Sequence, residues 1–241
     1  MATFVMVHGA FIGGWAWERL TGGLQPKGHQ VHAPDLIGAG QRAAELHPEL
    51  SPAVHADQIA ELLVHHSLHD VILVGHSYGG VVVDLVAERT SGRLKHLVYL
   101  DASIPEADRS LGDLLPQTVA TMRERADAEG DGWLLQPSDQ LLDFAGAIED
   151  ADRRWMAGEV TPLALRCFTE PVSLPTAAAA EMSATYIACT AWPGAPMMAT
   201  MAERARQRGA TYVELPTGHY PMITMPEETG RVLNDVADRI S

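Results

Sequence analysis

Short runs of β-branched and aliphatic residues alternate along this chain with longer stretches in which apolar positions recur every three or four residues. Residues 3–8, 30–33, 71–75, 95–100, 184–189 and 211–215 read as strands. The runs 71–75 and 95–100 are nearly continuously apolar, the pattern of strands covered on both faces. Ser51-Pro52 marks a helix start, a hydroxyl N-cap followed by proline in the first turn, and Val54, Ile59, Leu62 and Leu63 follow at helical spacing. Residues 81–90, 197–208 and 226–240 read as further helices. The last has Glu227 and Glu228 in its first turn and Val232, Leu233, Val236 and Ile240 along one side. Strands alternating with helices predict a mostly parallel sheet flanked by helices.

Between residues 103 and 176 the alternation stops. No strand is predicted there, and Leu114, Leu115, Trp133, Leu134, Leu135, Leu141, Leu142, Phe144, Trp155 and Phe168 are scattered over helical pieces. A helical insertion between core strands predicts a small cap over the C-terminal edge of the sheet; an ordinary helical layer packed on the sheet is the alternative. The expected division is a core of residues 1–102 and 177–241 with a cap of residues 103–176.

Composition narrows the function classes. A chain of 241 residues suffices for one large α/β domain. Its formal net charge of −14 argues against nucleic acid and against anionic membranes, since phosphate binding needs a basic surface. No apolar run is long enough to span a bilayer, and residues 1–9 carry no basic leader, so a cytoplasmic location is expected. Cys167 and Cys189 are too few for a disulfide framework. A homodimer stays open.

The chemistry gathers around Gly75-His76-Ser77-Tyr78-Gly79. Gly-x-Ser-x-Gly is weak alone, but here it joins the buried run 71–75 to a helix that begins near Val81. A serine at that junction sits on a tight turn, exposed above the sheet, and small neighbours let strand and helix approach. A phosphate-binding turn is the competing reading, but the G-x-G-x-x-G spacing is not met. Serine needs a base. His219, in Leu215-Pro216-Thr217-Gly218-His219-Tyr220, follows the last predicted strand and falls at the C-terminal edge of the sheet. His65, His66 and His69 have spacing open to a metal, but no carboxylate or cysteine pattern supports one, and they read as a solvated helix end; no metal or cofactor is expected. Two backbone N–H groups are needed for an oxyanion hole. The candidates are Tyr78, after the nucleophile, and Ala10, in the glycine-containing loop Val7-His8-Gly9-Ala10-Phe11-Ile12-Gly13-Gly14-Trp15, with Phe11 as its neighbour.

His8-Gly9-Ala10-x-x-Gly13-Gly14-Trp15-x-Trp17, Gly75-His76-Ser77-Tyr78-Gly79-Gly80 and Gly218-His219-x-x-Met222 together resemble the esterase and hydroxynitrile-lyase group of the α/β-hydrolase superfamily. The resemblance runs along essentially the whole chain. It implies an α/β-hydrolase fold with a small helical cap, no cofactor, and a serine–histidine–acid triad cleaving small esters. Plant hydroxynitrile lyases of that group keep a threonine in the first loop and a lysine shortly after the histidine. Ala10 and Tyr220-Pro221 stand in those places here, which points to hydrolysis.

The resemblance also exposes a departure. Similar proteins place the triad acid a few residues past a Cys-Thr pair after the penultimate strand. This chain reads Cys189-Thr190-Ala191-Trp192-Pro193-Gly194-Ala195-Pro196, without a carboxylate. Asp101, following the run 95–100, is the substitute, as in certain haloalkane dehalogenases; a loop cap at Asp101 and a dyad with Trp192 in the vacant place are the alternatives. Phe11, Trp133, Phe144, Trp155, Phe168 and Trp192 suggest an apolar substrate pocket, although aromatics in such positions are most often core. The leading expectation is a hydrolase for a small apolar ester or lactone. A lyase, a cyclase, a cofactor-free oxygenase and a catalytically weak ligand-binding protein are the alternatives.

Overall fold

The computed structural model describes residues 1–138, 142 and 149–240; Leu141 and Phe144 lie outside them. Among the described residues a six-stranded sheet is built from β1 (Thr3–Val7), β2 (Gln30–His32), β3 (Val71–His76), β4 (Leu94–Leu100), β7 (Ala184–Cys189) and β8 (Thr211–Leu215). Their order across the sheet is β2-β1-β3-β4-β7-β8, and every neighbouring pair is parallel. The chain starts inside the sheet, moves outward to β2, and resumes at β3 on the other side of β1. Such a reversal leaves a crevice at the C-terminal strand ends, where ligands of parallel sheets bind.

Alternation along the strands explains why both faces are covered. Phe4 and Met6, Ile72 and Val74, and Val98 and Leu100 point into one apolar cluster, while Val5 and Val7, Leu73, and Leu97 and Tyr99 point into the other. The first cluster is closed by α1 (Glu18–Leu24) and the terminal helix Pro226–Ile240, through Leu20, Leu24, Leu233 and Val236. The second is closed by α2 (Pro52–His65), α3 (Gly79–Thr90) and the helix Ala195–Gln207, through Ile59, Leu63, Val82, Val86 and Met201. The Ser51 hydroxyl accepts the Val54 N–H at the start of α2, with Pro52 at the first helical position.

Residues 103–176 contain helices, among them α4 (Pro116–Glu129) and α5 (Asp150–Glu159). They also contain two strands that the sequence pattern does not predict, β5 (Leu134–Leu135) and β6 (Leu163–Ala164), paired antiparallel. Two residues per strand are too few to register as a period. Leu111, Val119, Leu135, Leu163 and Phe168 from this region join the apolar cluster beneath α2 and α3. A buried ion pair ties its entry to the sheet. Asp84 of α3 accepts from the Tyr99 hydroxyl (2.5 Å) and from Arg208 (2.6 Å), and Arg208 also donates to the Pro105 carbonyl (3.0 Å). Cys167 and Cys189 are buried and unpaired. Among the described residues no helix is long and apolar enough to cross a membrane.

Candidate active site

Five successive strand ends converge on one small cavity. Ser77 directly follows β3 with a φ of +53°, a left-handed conformation that costs a non-glycine residue on the order of 1–3 kcal/mol. Three backbone bonds hold it there: its N–H donates to the Leu100 carbonyl (3.3 Å), and its own carbonyl accepts from Gly80 (3.1 Å) and Ser103 (2.9 Å). The flanking glycines are required by close approach. A Cβ on Gly75 would lie 2.6 Å from the Gly79 carbonyl oxygen, and one on Gly79 would lie 2.6 Å from that of Val7.

His219 follows β8, and Asp101 follows β4. The His219 Nδ1–H donates to Asp101 Oδ2 at 2.6 Å. Because the carboxylate only accepts, this bond leaves Nε2 as the ring's basic nitrogen. Asp101 is fully buried, has a φ of +44°, and takes a second bond at Oδ1 from the Cys189 N–H (3.1 Å). That bond exists because β4 and β7 are neighbours, so the start of the 189–192 loop lies beside the end of β4. Ser77 and His219 line the same cavity, and no hydrogen bond joins their side chains in this structure. Catalytic contacts of this kind commonly tighten only when substrate binds.

His76 packs beside the pair. Its Nε2–H donates to the His219 carbonyl (2.7 Å), its ring centroid lies 4.7 Å from that of His219, and its buried Nδ1 has no partner. Burial, with the adjacent His219 adding to it, holds the His76 pKa well below the ordinary histidine value, so this ring is neutral. Trp192 lies flat against His219, with centroids 4.3 Å apart and planes 27° apart, and its indole N–H donates to the Cys189 carbonyl (3.1 Å).

The two candidate oxyanion donors sit at adjacent strand ends. Among the described residues neither the Ala10 nor the Tyr78 N–H has an acceptor. His8 shapes the first loop: Nδ1–H donates to the Gly9 carbonyl (2.8 Å) and Nε2 accepts the Leu36 N–H (3.0 Å). Phe11 is held at φ +65°, and its carbonyl accepts the N–H of Thr161 from the 103–176 region (2.9 Å). Tyr78 is fixed from behind by His55, which nothing in the sequence pattern singles out. His55 Nε2–H donates to the Ile37 carbonyl (3.0 Å), leaving Nδ1 to accept the Tyr78 hydroxyl (2.9 Å). Burial lowers the His55 pKa to about 4, consistent with that neutral form.

The cavity measures about 120 Å³. Ala10, Phe11, Ser77, Tyr78, Trp192 and His219 line it, with Phe168. Trp133 and Trp155, expected at the pocket, do not line it. Trp155 instead packs edge-on against Trp15 (5.0 Å) and beneath the Arg19 guanidinium (5.3 Å), and Trp133 rests on the apolar cluster. Leu111, Met122, Met197 and Met198 supply the apolar wall in their place.

A second serine–histidine grouping lies at the opposite, N-terminal edge of the sheet. His96 meets the Ser183 hydroxyl at Nδ1 (2.8 Å) and the Thr185 hydroxyl at Nε2 (2.9 Å). Burial lowers the His96 pKa to about 4. Of the histidines at metal-compatible spacing, His65 and His66 contact each other edge-on (4.9 Å) and His69 Nε2 accepts from Arg93 (3.0 Å). Among the described residues no three His, Cys, Asp or Glu side chains are grouped to hold a metal ion.

Comparison with known proteins gives the family of the chain. The model of the alpha/beta hydrolase family matches residues 4–232. The carbendazim hydrolyzing esterase of Nocardioides sp. is 34% identical over 242 residues, covering 97% of this chain and 98% of that protein. Salicylic acid-binding protein 2 of Nicotiana tabacum is 34% identical over 132 residues, covering 54% of this chain and 48% of that protein. The structure of an extracellular alpha/beta-hydrolase from a Paenibacillus species superposes with a TM-score of 0.86 at 21% identity, covering 98% of each chain.

Proposed function

Because the chain belongs to the alpha/beta hydrolase family, we propose that it hydrolyses a small carboxylic ester or lactone through an acyl-enzyme on Ser77. The observation that carries this reading is the His219–Asp101 bond, set beside a positive-φ serine in a shared cavity. The esterase relative that spans the chain end to end supports the reaction class.

In this mechanism His219 Nε2 takes the Ser77 proton as Oγ attacks the substrate carbonyl carbon. The carbonyl π pair moves to oxygen, and the Ala10 and Tyr78 N–H groups hold the resulting oxyanion. Collapse of the tetrahedral species breaks the C–O bond, and the imidazolium returns its proton to the departing alkoxide. Water then attacks the acyl-enzyme with His219 again as base, releasing the acid and free Ser77. Asp101 keeps Nδ1 protonated and stabilises the imidazolium. Residues 103–176 act as the cap, contributing Leu111, Met122 and Phe168 to the cavity wall. A cavity of about 120 Å³ suits a compact apolar acyl or alkoxy group rather than a long chain.

A p-nitrophenyl alkylphosphonate tests the assignment. One equivalent of nitrophenolate should be released per chain, with the adduct mass on the peptide that contains Ser77 and none in Ser77→Ala. Absence of an adduct, or an adduct elsewhere, would overturn it. The cytoplasmic location fits two unpaired cysteines and is checked by cell fractionation; the homodimer is checked by light scattering.

A further inference from the structure

The loop after β7 lacks a carboxylate but is not idle. The last residue of β7, Cys189, leads into it and uses both sides of its backbone: the N–H grips Asp101 Oδ1 (3.1 Å) and the carbonyl accepts the Trp192 indole N–H (3.1 Å). Asp101 holds the edge of the His219 ring, and Trp192 covers one face of it at 4.3 Å. Two further backbone bonds, Thr190 N–H to the Leu215 carbonyl and Ala191 N–H to the Thr217 carbonyl (3.0 Å each), lock this loop to the one carrying His219. Edge and face of the base are therefore held by one rigid unit.

We propose that Trp192 is a positioning residue for the base, whose indole face stabilises the His219 imidazolium formed during proton transfer. The face of an indole is negative and attracts a cation stacked on it, more strongly where water is excluded. Trp192 and His219 are each at least nine-tenths buried, so the stack is largely shielded from solvent. Burial alone disfavours a charged ring, and the indole offsets part of that loss on a face that Asp101 cannot reach. The other titratable groups facing the ring are Asp101 at Nδ1, the neutral His76 at 4.7 Å and the Tyr220 phenol at 5.5 Å. Burial raises the Tyr220 pKa, so neither His76 nor Tyr220 competes as an ion near neutral pH.

The catalytic consequence rests on His219 being the base of the proposed ester hydrolysis, so the test separates the two. NMR titration of the His219 ring in the resting protein, assigned by its loss in His219→Gln, reads the stack without any turnover. Removing the indole in Trp192→Leu should lower the His219 pKa by about one unit, and Trp192→Phe should fall between. If the ester reading also holds, the acidic limb of the kcat/KM profile moves to lower pH by the same amount. Turnover then drops about tenfold with KM less affected. Trifluorotryptophan placed at position 192 keeps the shape while weakening the negative face, and guards against a leucine variant that fails to fold. A His219 titration unmoved by fluorination would overturn the proposal. A shifted titration with no acylation of Ser77 would keep the stack and sink the ester reading instead.

Discussion

The two ends of this sheet each carry a histidine and a serine, yet the surroundings of the two histidines differ. At the N-terminal edge both ring nitrogens of His96 meet hydroxyls, from Ser183 and Thr185, and burial holds the ring neutral. At the C-terminal edge His219 spends one nitrogen on a buried carboxylate and keeps the other toward a cavity that contains Ser77. Ser77 itself is held in a left-handed conformation. Proximity of serine to histidine is thus not what makes a site. The asymmetry of the histidine's partners, and a serine presented to an open space, carry the difference.

The comparison can be broken most sharply at the serines. Ser77→Ala should cost about 10⁶-fold in turnover of an activated ester, whereas Ser183→Ala should leave turnover unchanged; equal effects would erase the distinction. Asp101→Asn comes next. It should reduce kcat by about 10⁴-fold, the scale on which the wrong histidine tautomer acts, with the fold retained by circular dichroism. Tyr78→Phe is gentler, since it removes a side-chain bond behind the N–H rather than the N–H itself. It leaves His55 Nδ1 buried and unpaired, so stability should fall by about 1–3 kcal/mol in urea titration, with a smaller loss of kcat. The smallest effect belongs to His96. Its pKa is about 4 in the folded protein and 6.5 as a free group, so the unfolded chain binds the extra proton between those values. Its contribution to stability is full above pH 6.5 and is lost as pH falls through 4. His96→Gln should make the decline of Tm across that window shallower and leave ester turnover at pH 7.5 unaltered.

The strands and the serine turn were legible because burial on both faces and the Gly-x-Ser-x-Gly junction are local patterns. The bounds 184–189 and 211–215 coincide with β7 and β8. The nearness of Asp101 to His219 could be argued only from the missing carboxylate after Cys189 and from resemblance to hydrolases that carry their acid after the corresponding strand, since no local signal says that β4 and β7 are neighbours. Trp133 and Trp155 illustrate the opposite limit. A tryptophan in a helix or turn satisfies the same pattern whether it faces a pocket or, like Trp155, faces Trp15 and Arg19. The methionines that do form the wall, Met122, Met197 and Met198, have no signature distinguishing them from core. The β5–β6 ribbon and His55 were invisible for related reasons, one too short for a period and the other a lone polar residue on an apolar face.

The bond from Thr161 N–H to the Phe11 carbonyl bears on how such a protein can be remodelled. The 103–176 region is joined to the rest of the chain at two points, which suggests a cassette that can be exchanged for another. Yet it also reaches across to the first loop and grips the residue beside Ala10, at a backbone angle that Phe11 would not choose unaided. A graft that fills the same volume but brings no donor to that carbonyl would leave the loop free to relax. In this architecture the region that supplies part of the cavity wall is also a part of the frame that holds the first loop, and the two cannot be traded separately.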